Sequence, residues 1–154
     1  MKAILSFVTA AALAFNVYAA HAADTSAKST ASEILTSVRD AIAAKNWSKA
    51  KTELDLAYRT EPRNADVHNL YGYMYRKQAT PNLAKAFESY NTALKLDPSH
   101  KGAHEYIGEA YLMDKKPAEA EKHLALLEKL CSNKTCEEYA DLAKAISDYK
   151  AKNP

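Results

Sequence analysis

The sequence predicts an all-α chain of three stacked helix pairs closed by a C-terminal capping helix, and two observations carry that expectation. The first is a period. Gly72 and Gly108 lie 36 residues apart, as do Tyr75 and Tyr111, Ala50 and Ala86, Ala57 and Ala93, and Pro62 and Pro98. Ala86 pairs again with Ala120 at 34. One interval shared by unrelated residue types means copies of a single supersecondary unit. The second is composition: 3 glycines and 5 prolines in 154 residues, against abundant Ala, Lys, Glu and Leu. Strong helix formers with rare breakers describe helices. The length suits one domain. A net charge of +2 with both signs interspersed leaves no concentrated basic face, so no nucleic acid is expected as a partner.

The first residues are of another kind. Met1-Lys2 gives a positive start, and residues 3–17 are an apolar run broken only by Ser6, Thr9 and Asn16. Ala20-His21-Ala22 then offers small residues at the two positions that a signal peptidase inspects. Residues 1–22 are therefore expected to be a cleavable signal peptide, cut before Ala23 or, as the alternative, before His21. A membrane anchor is the competing reading. The run is short for a span and no positive stop-transfer cluster follows it. Residues 23–31, polar and small, are expected to be a flexible leader. The expected location is periplasmic or secreted, with no stable membrane insertion after cleavage.

The helical pattern starts at residue 32. Residues 32–44 carry Ile34, Leu35, Val38, Ala41 and Ile42 at helical spacing, and residues 47–59 carry Trp47, Ala50, Leu54 and Ala57. Pro62 stops this pair. A helix over 65–77 follows, with Leu70, Tyr71, Met74 and Tyr75 apolar. Thr80-Pro81 is expected to open the next helix as hydroxyl cap and first-turn proline, and that helix runs to Leu96. The third pair takes residues 101–113 and 117–131. Residues 136–150 form the cap, with Tyr139, Leu142, Ala143, Ile146 and Tyr149 on one stripe and Glu137, Asp141, Lys144 and Asp148 facing out. The single domain thus covers 32–150, with units at about 32–64, 65–100 and 101–131.

In the third unit His104, Ile107, Gly108 and Tyr111 precede Ala120 and Leu124; in the second, His68, Tyr71, Gly72 and Tyr75 precede Ala86, Tyr90, Ala93 and Pro98. These resemble the tetratricopeptide repeat, whose first helix carries W-x2-L-G-x2-Y and whose second carries A-x3-F before a proline. The first unit keeps its second helix (Ala50, Leu54, Ala57, Pro62), while its first is degenerate. His stands twice for the large aromatic. The turn between Gly72 and Ala86 is two residues longer than its counterparts, and the third unit lacks the closing proline. The resemblance implies a right-handed α-α superhelix. Gly72 and Gly108, with Ala86 and Ala120, are expected where paired helices approach most closely.

The resemblance also implies a concave groove, lined by the first helix of each pair, that holds a peptide or partner protein. By helical phase the lining is Ser32, Leu35, Arg39 and Ile42, then Asp66, Asn69, Tyr73, Arg76 and Lys77, then Gly102, Glu105, Glu109, Leu112 and Met113. Of these, Arg39, Asn69, Tyr73, Arg76, Lys77, Glu105, Glu109 and Leu112 are the expected partner-binding residues. Arg39, Arg76 and Lys77 would make one half basic, and Glu105 and Glu109 the other acidic. The family's clamp for C-terminal carboxylates is not supported, since Leu35, Arg39, Leu70 and Glu105 stand in its region.

Cys131 and Cys136 are the only cysteines. In an exported chain they are expected to form a structural disulfide that staples the cap. A redox-active or metal-handling pair is the alternative, weakened by a spacing other than C-x-x-C. His100 and His104 are four apart and could share a helix face as metal ligands, yet His104 and His68 fall at the family's packing site. No Gly-rich phosphate loop, G-x-S-x-G or H-E-x-x-H is found in the sequence. The expected function is an exported, non-catalytic binding scaffold, monomeric, without metal or cofactor. The alternative is a periplasmic redox or metal-handling accessory protein.

Overall fold

Asparagines punctuate the helix starts. Asn46, Asn64 and Asn82 each accept a backbone N–H of the first turn behind them (Lys49 at 3.1 Å, Asp66 at 2.9 Å and Lys85 at 3.1 Å). His100 does the same through Nδ1 for Ala103, and Thr30 closes a reciprocal capping box with Glu33. These caps satisfy donors that have no partner inside a helix. The structure is a computed structural model that describes residues 30–132 and 134–153. The signal peptide and most of the leader expected at 1–31 lie outside the described residues.

Behind the caps run α1 (Ala31–Ala43), α2 (Trp47–Thr60), α3 (Ala65–Lys77), α4 (Leu83–Leu96), α5 (Lys101–Met113), α6 (Pro117–Leu130) and α7 (Glu137–Lys152). There is no strand among the described residues, and no helix there is long and apolar enough to cross a membrane. One expected boundary is corrected. α4 is capped by Asn82, not Thr80, and Pro81 stands before the cap instead of inside the first turn. The Asn82 N–H is held by the carbonyl of Tyr75 at 2.8 Å, which folds the longer second turn back onto α3.

The shorter turns of the first and third pairs close differently. Lys45 (φ 54°) and Lys115 (φ 58°) are left-handed. The next amides, of Asn46 and Lys116, reach back to the carbonyls of Ala41 and Tyr111 at 2.8 Å. This is the Schellman ending with lysine where glycine is usual.

Three apolar clusters fill the stack. Ile34, Leu35, Val38, Leu54, Ala57, Val67, Leu70 and Met74 join α1, α2 and α3. Ala86, Tyr90, Ile107 and Ala110 join α4 to α5. Leu112, Ala120, Leu127, Leu142 and Ile146 join α5 and α6 to α7, with Tyr139 and Tyr149 against them, so the expected cap stripe does face the core. Each fully buried leucine such as Leu54 or Leu142 contributes about 1.5–3 kcal/mol.

Gly72 sits, as expected, at a close approach within its pair: a Cβ there would lie 2.5 Å from the Tyr90 ring of α4. Gly108 does not. Its close neighbour is Leu142 of the capping helix, 2.7 Å from a built Cβ, so this glycine seats α7 on α5 rather than closing the third pair.

The first helices of the pairs touch one another in sequence, α1 to α3, α3 to α5 and α5 to α7, whereas α2, α4 and α6 make no such contacts. The stack is therefore tight on one side and splayed on the other. The concave side belongs to α1, α3, α5 and α7.

Candidate functional site

The concave surface is built on two ion networks, one half-exposed and one buried. Asp66 of α3 bridges Arg39 of α1 at 3.6 Å and Nε2 of His100, ahead of α5, at 3.2 Å. The hydrogen bond to His100 holds its carboxyl below the ordinary value, against the opposing effect of burial. About three turns further along α3, Arg76 is only 4% exposed. Its Nη1 is ion-paired with Glu109 of α5 and its Nε donates to the Tyr90 hydroxyl at 3.2 Å. Burial works against the Arg76 charge, but the Tyr90 and Glu109 oxygens outweigh it and hold the guanidinium above its ordinary value. Its face lies 5.3 Å from the Tyr73 ring centre and 5.4 Å from that of Tyr106.

Tyr73 and Tyr106 meet each other at 4.8 Å between centroids and form an aromatic ridge across the groove. Beside them lies a hollow of about 260 Å³ lined by Arg39, Ile42, Ala43 and Leu70 as well. Burial pushes the Tyr106 hydroxyl up to about 12, so it is a neutral donor.

Three side chains on this surface keep polar atoms without partners. Asn69 (5% exposed) has an unbonded Oδ1, and Arg76 an unbonded Nη2. Glu105 (7% exposed) has no hydrogen bond or ion pair among the described residues. Burial, then the carboxylates of Glu109, Asp141 and Glu138, push the Glu105 carboxyl up to about 8. Buried polar groups are ordinarily paired; the unpaired atoms of Asn69 and Arg76 are closed off from solvent, whereas the Glu105 carboxyl is reached by it.

The eight expected binding residues therefore separate. Asn69, Tyr73, Arg76, Glu105 and Glu109 come together at the centre. Arg39 stands at the α1 edge, tied to Asp66, and Lys77 is exposed with its Nζ 5.9 Å from the Tyr73 ring. Leu112 is corrected: it is 8% exposed and belongs to the core under α7, so it supports the cap instead of lining the surface. Leu35 is likewise core. The expected bipolar charge is also corrected. Arg76 is neutralised by Glu109, and Arg39 is paired at the half-exposed edge with Asp66, which leaves Lys77 as the unpaired one of the three expected cations and Glu105, Glu138 and Asp141 on the acidic side.

Sequence reasoning missed Tyr106, Glu138 and Asp141. A signal existed for the last. Asn69, Glu105 and Asp141 are 36 residues apart, so the period carries into α7 and puts all three in one register. The convex side holds a further hollow of about 540 Å³ in the wedge between α2 and α4, floored by Tyr71 and Tyr75. There the Tyr71 hydroxyl donates to Asp55 at 2.5 Å, and Lys51 and Lys85 lie over the Tyr71 and Tyr75 rings.

Among the described residues, the histidines are structural. Nε2 of His68 meets the Pro62 carbonyl at 2.9 Å, and Nε2 of His104 meets the Pro98 carbonyl at 3.0 Å. A carbonyl only accepts, so both rings donate from Nε2. At the family's aromatic site, His thus ties down the loop that ends the preceding pair. His100 and His104 go to different partners, since His104 turns its Nδ1 to Nδ1 of His123 at 2.9 Å. Burial, then His104, pushes His123 down to about 4, so the His123 ring is neutral at neutral pH. Cys131 and Cys136 are bonded, with Cα atoms 5.9 Å apart, and join the first residue past α6 to the last before α7.

Two overlapping stretches, residues 35–100 and 79–134, match the tetratricopeptide repeat family, and together they span more than half of the chain. The chain belongs to the tetratricopeptide repeat family. No curated protein matches it. Tetratricopeptide repeats generally mediate protein–protein interactions and are typically non-catalytic scaffolds.

Proposed function

We propose that this tetratricopeptide protein is an exported scaffold that holds an extended segment of a partner protein in its concave groove. The observation that carries the reading is the Tyr73–Tyr106 ridge on the concave face, beside the hollow lined by Arg39, Ile42 and Leu70. The half-buried tyrosines offer an added chain apolar area at low entropic cost. The signal-like start at residues 1–22 and the bonded Cys131–Cys136 pair support export to an oxidising compartment.

The redox or metal-handling alternative has less behind it. The bonded sulfurs link two helix ends, and Glu138 is the single carboxylate grouped with them among the described residues.

The test is capture of a partner from an extract by mature protein and by a Tyr73→Ala, Lys77→Ala variant. Arg76 is avoided because its loss would strand Glu109. A partner held by the parent and released by an equally stable variant is the expected result. Equal capture by both would move the site to the convex wedge.

A further inference from the structure

The acidic end of the groove has a charge balance that the fold itself does not close. Among the described residues, no Lys, Arg or His lies within ion-pair distance of Glu105, Glu138 or Asp141, whereas Arg39 and Arg76 each have a carboxylate. Glu105 is the sharpest case, a residue only 7% exposed whose carboxyl has neither donor nor cation bonded to it and is reached from the solvent side. Three elements face it. α3 presents Arg76, already paired; α5 presents Glu109 and Tyr106; α7 presents Glu138 and Asp141. A carboxyl placed this way favours its neutral form until a cation arrives to pair the ionised one.

We propose that this end of the groove, Glu105 with Glu138 and Asp141, receives a cationic side chain, Arg or Lys, projecting from the extended partner. The inference rests on the concave-groove reading above and gives its partner a chemistry.

The layout fits a side chain better than a metal ion. Among the described residues, the one group that brings three possible ligand atoms within 4.8 Å of one another is Cys131, Cys136 and Glu138. The carboxylates of Glu105, Glu138 and Asp141 are thus too far apart to share one small ion. A guanidinium has five N–H donors in a planar fork, and an ammonium has three on a flexible stem, so either can serve carboxylates set more widely. The stem would cross the Tyr73–Tyr106 ridge, whose rings offer it apolar surface. Once seated, the cation stabilises the ionised form of Glu105, which burial and its acidic neighbours otherwise disfavour.

The test uses four pools of nine-residue peptides with randomised flanks and a fixed central residue: Arg, Lys, citrulline or norleucine. Each is passed over immobilised mature protein at low salt, and over a Glu105→Gln, Asp141→Asn variant that keeps the side-chain shapes. The expected result is at least fivefold greater retention of the Arg and Lys pools than of the citrulline and norleucine pools, lost in the variant. Retention without preference for the cationic centre, or a preference that survives in the variant, overturns the inference and leaves the concave reading intact. A photo-crosslinker at position 73 keeps the two separable: no pool retained and no crosslink at 73 overturns both. Saturable heat on titrating calcium chloride alone, abolished in the variant, would make this a metal site and likewise overturn the inference.

Discussion

Gly72 offers a direct probe of how the fold carries the groove. It lies on α3 with its Cα against the ring of Tyr90, and a methyl group there would stand 2.5 Å from Cδ1 and Cε1 and 2.8 Å from Cζ. These are ring atoms of a fully buried side chain, packed on Ala86, Ile107 and Ala110, so the ring cannot swing aside. Overpacking of this kind costs about 1–3 kcal/mol. Alanine regains about 1 kcal/mol of helix propensity. With the overlap falling on ring body, the cost sits near the upper end, and Gly72→Ala is expected to destabilise by about 2 kcal/mol. That corresponds to a midpoint roughly 8 °C lower in a domain of this size. Circular dichroism at the helix band measures it. The displaced ring also pulls its hydroxyl from Arg76 Nε, so tyrosine absorbance and groove binding should change together. Gly102→Ala is the control, since the nearest atom to its built Cβ is the side-chain nitrogen of Asn69 at 3.3 Å. A Gly72→Ala midpoint equal to or above the parent's would refute the packing argument.

Three further outcomes follow from the geometry. Lys115→Gly should stabilise by about 1 kcal/mol, because glycine occupies the left-handed ending without the Cβ penalty that lysine bears there; a lower melting midpoint would contradict this. Replacing Cys131 and Cys136 together by serine should cost about 2 kcal/mol in urea denaturation through the lost loop constraint, and an unchanged midpoint would remove the staple from the account. Glu105→Gln should change stability with pH. The folded carboxyl, pushed up to about 8, keeps a proton that the unfolded chain loses near 4.5. That favourable difference is full below the unfolded value and is lost as pH rises towards 8, by up to about 1.4 kcal/mol per pH unit. The variant, which cannot ionise, should therefore gain on the parent from pH 5 to pH 8, and parallel stability curves would show that Glu105 is not buried as described.

What the sequence made legible is what repeats. Pro62 and Pro98, Gly72 and Ala86, and the apolar stripes placed the helices and most of their ends, because local steric and packing rules act within a few residues. The capping error at Thr80 came from weighing a hydroxyl and a proline by local pattern. Asn82 prevails because its amide N–H also reaches the Tyr75 carbonyl, across a turn longer than the other two. Gly108 was read by analogy with Gly72, yet its neighbour comes from α7, an element outside the repeat. The groove's charge was least legible. Helical phase put Arg39, Arg76, Glu105 and Glu109 on one surface, but not which carboxylate neutralises which guanidinium. That depends on distances between helices 33 residues apart in sequence, as for Arg76 and Glu109. The histidine substitutions at 68 and 104 read as packing replacements; their bonds to Pro62 and Pro98 emerge only when the loop is seen to fold under the ring.

The measurement that bears most directly on the concave-groove account is site-specific photo-crosslinking of the mature protein with its partner extract. The crosslinker is placed at Tyr73 on the concave ridge in one preparation and at Leu56, exposed on α2, in another. The account predicts a crosslinked partner peptide from position 73 and none from position 56, with the peptide carrying Arg or Lys within a few residues of the joined site. Crosslinks from position 56 alone would place the partner on the splayed side and contradict it.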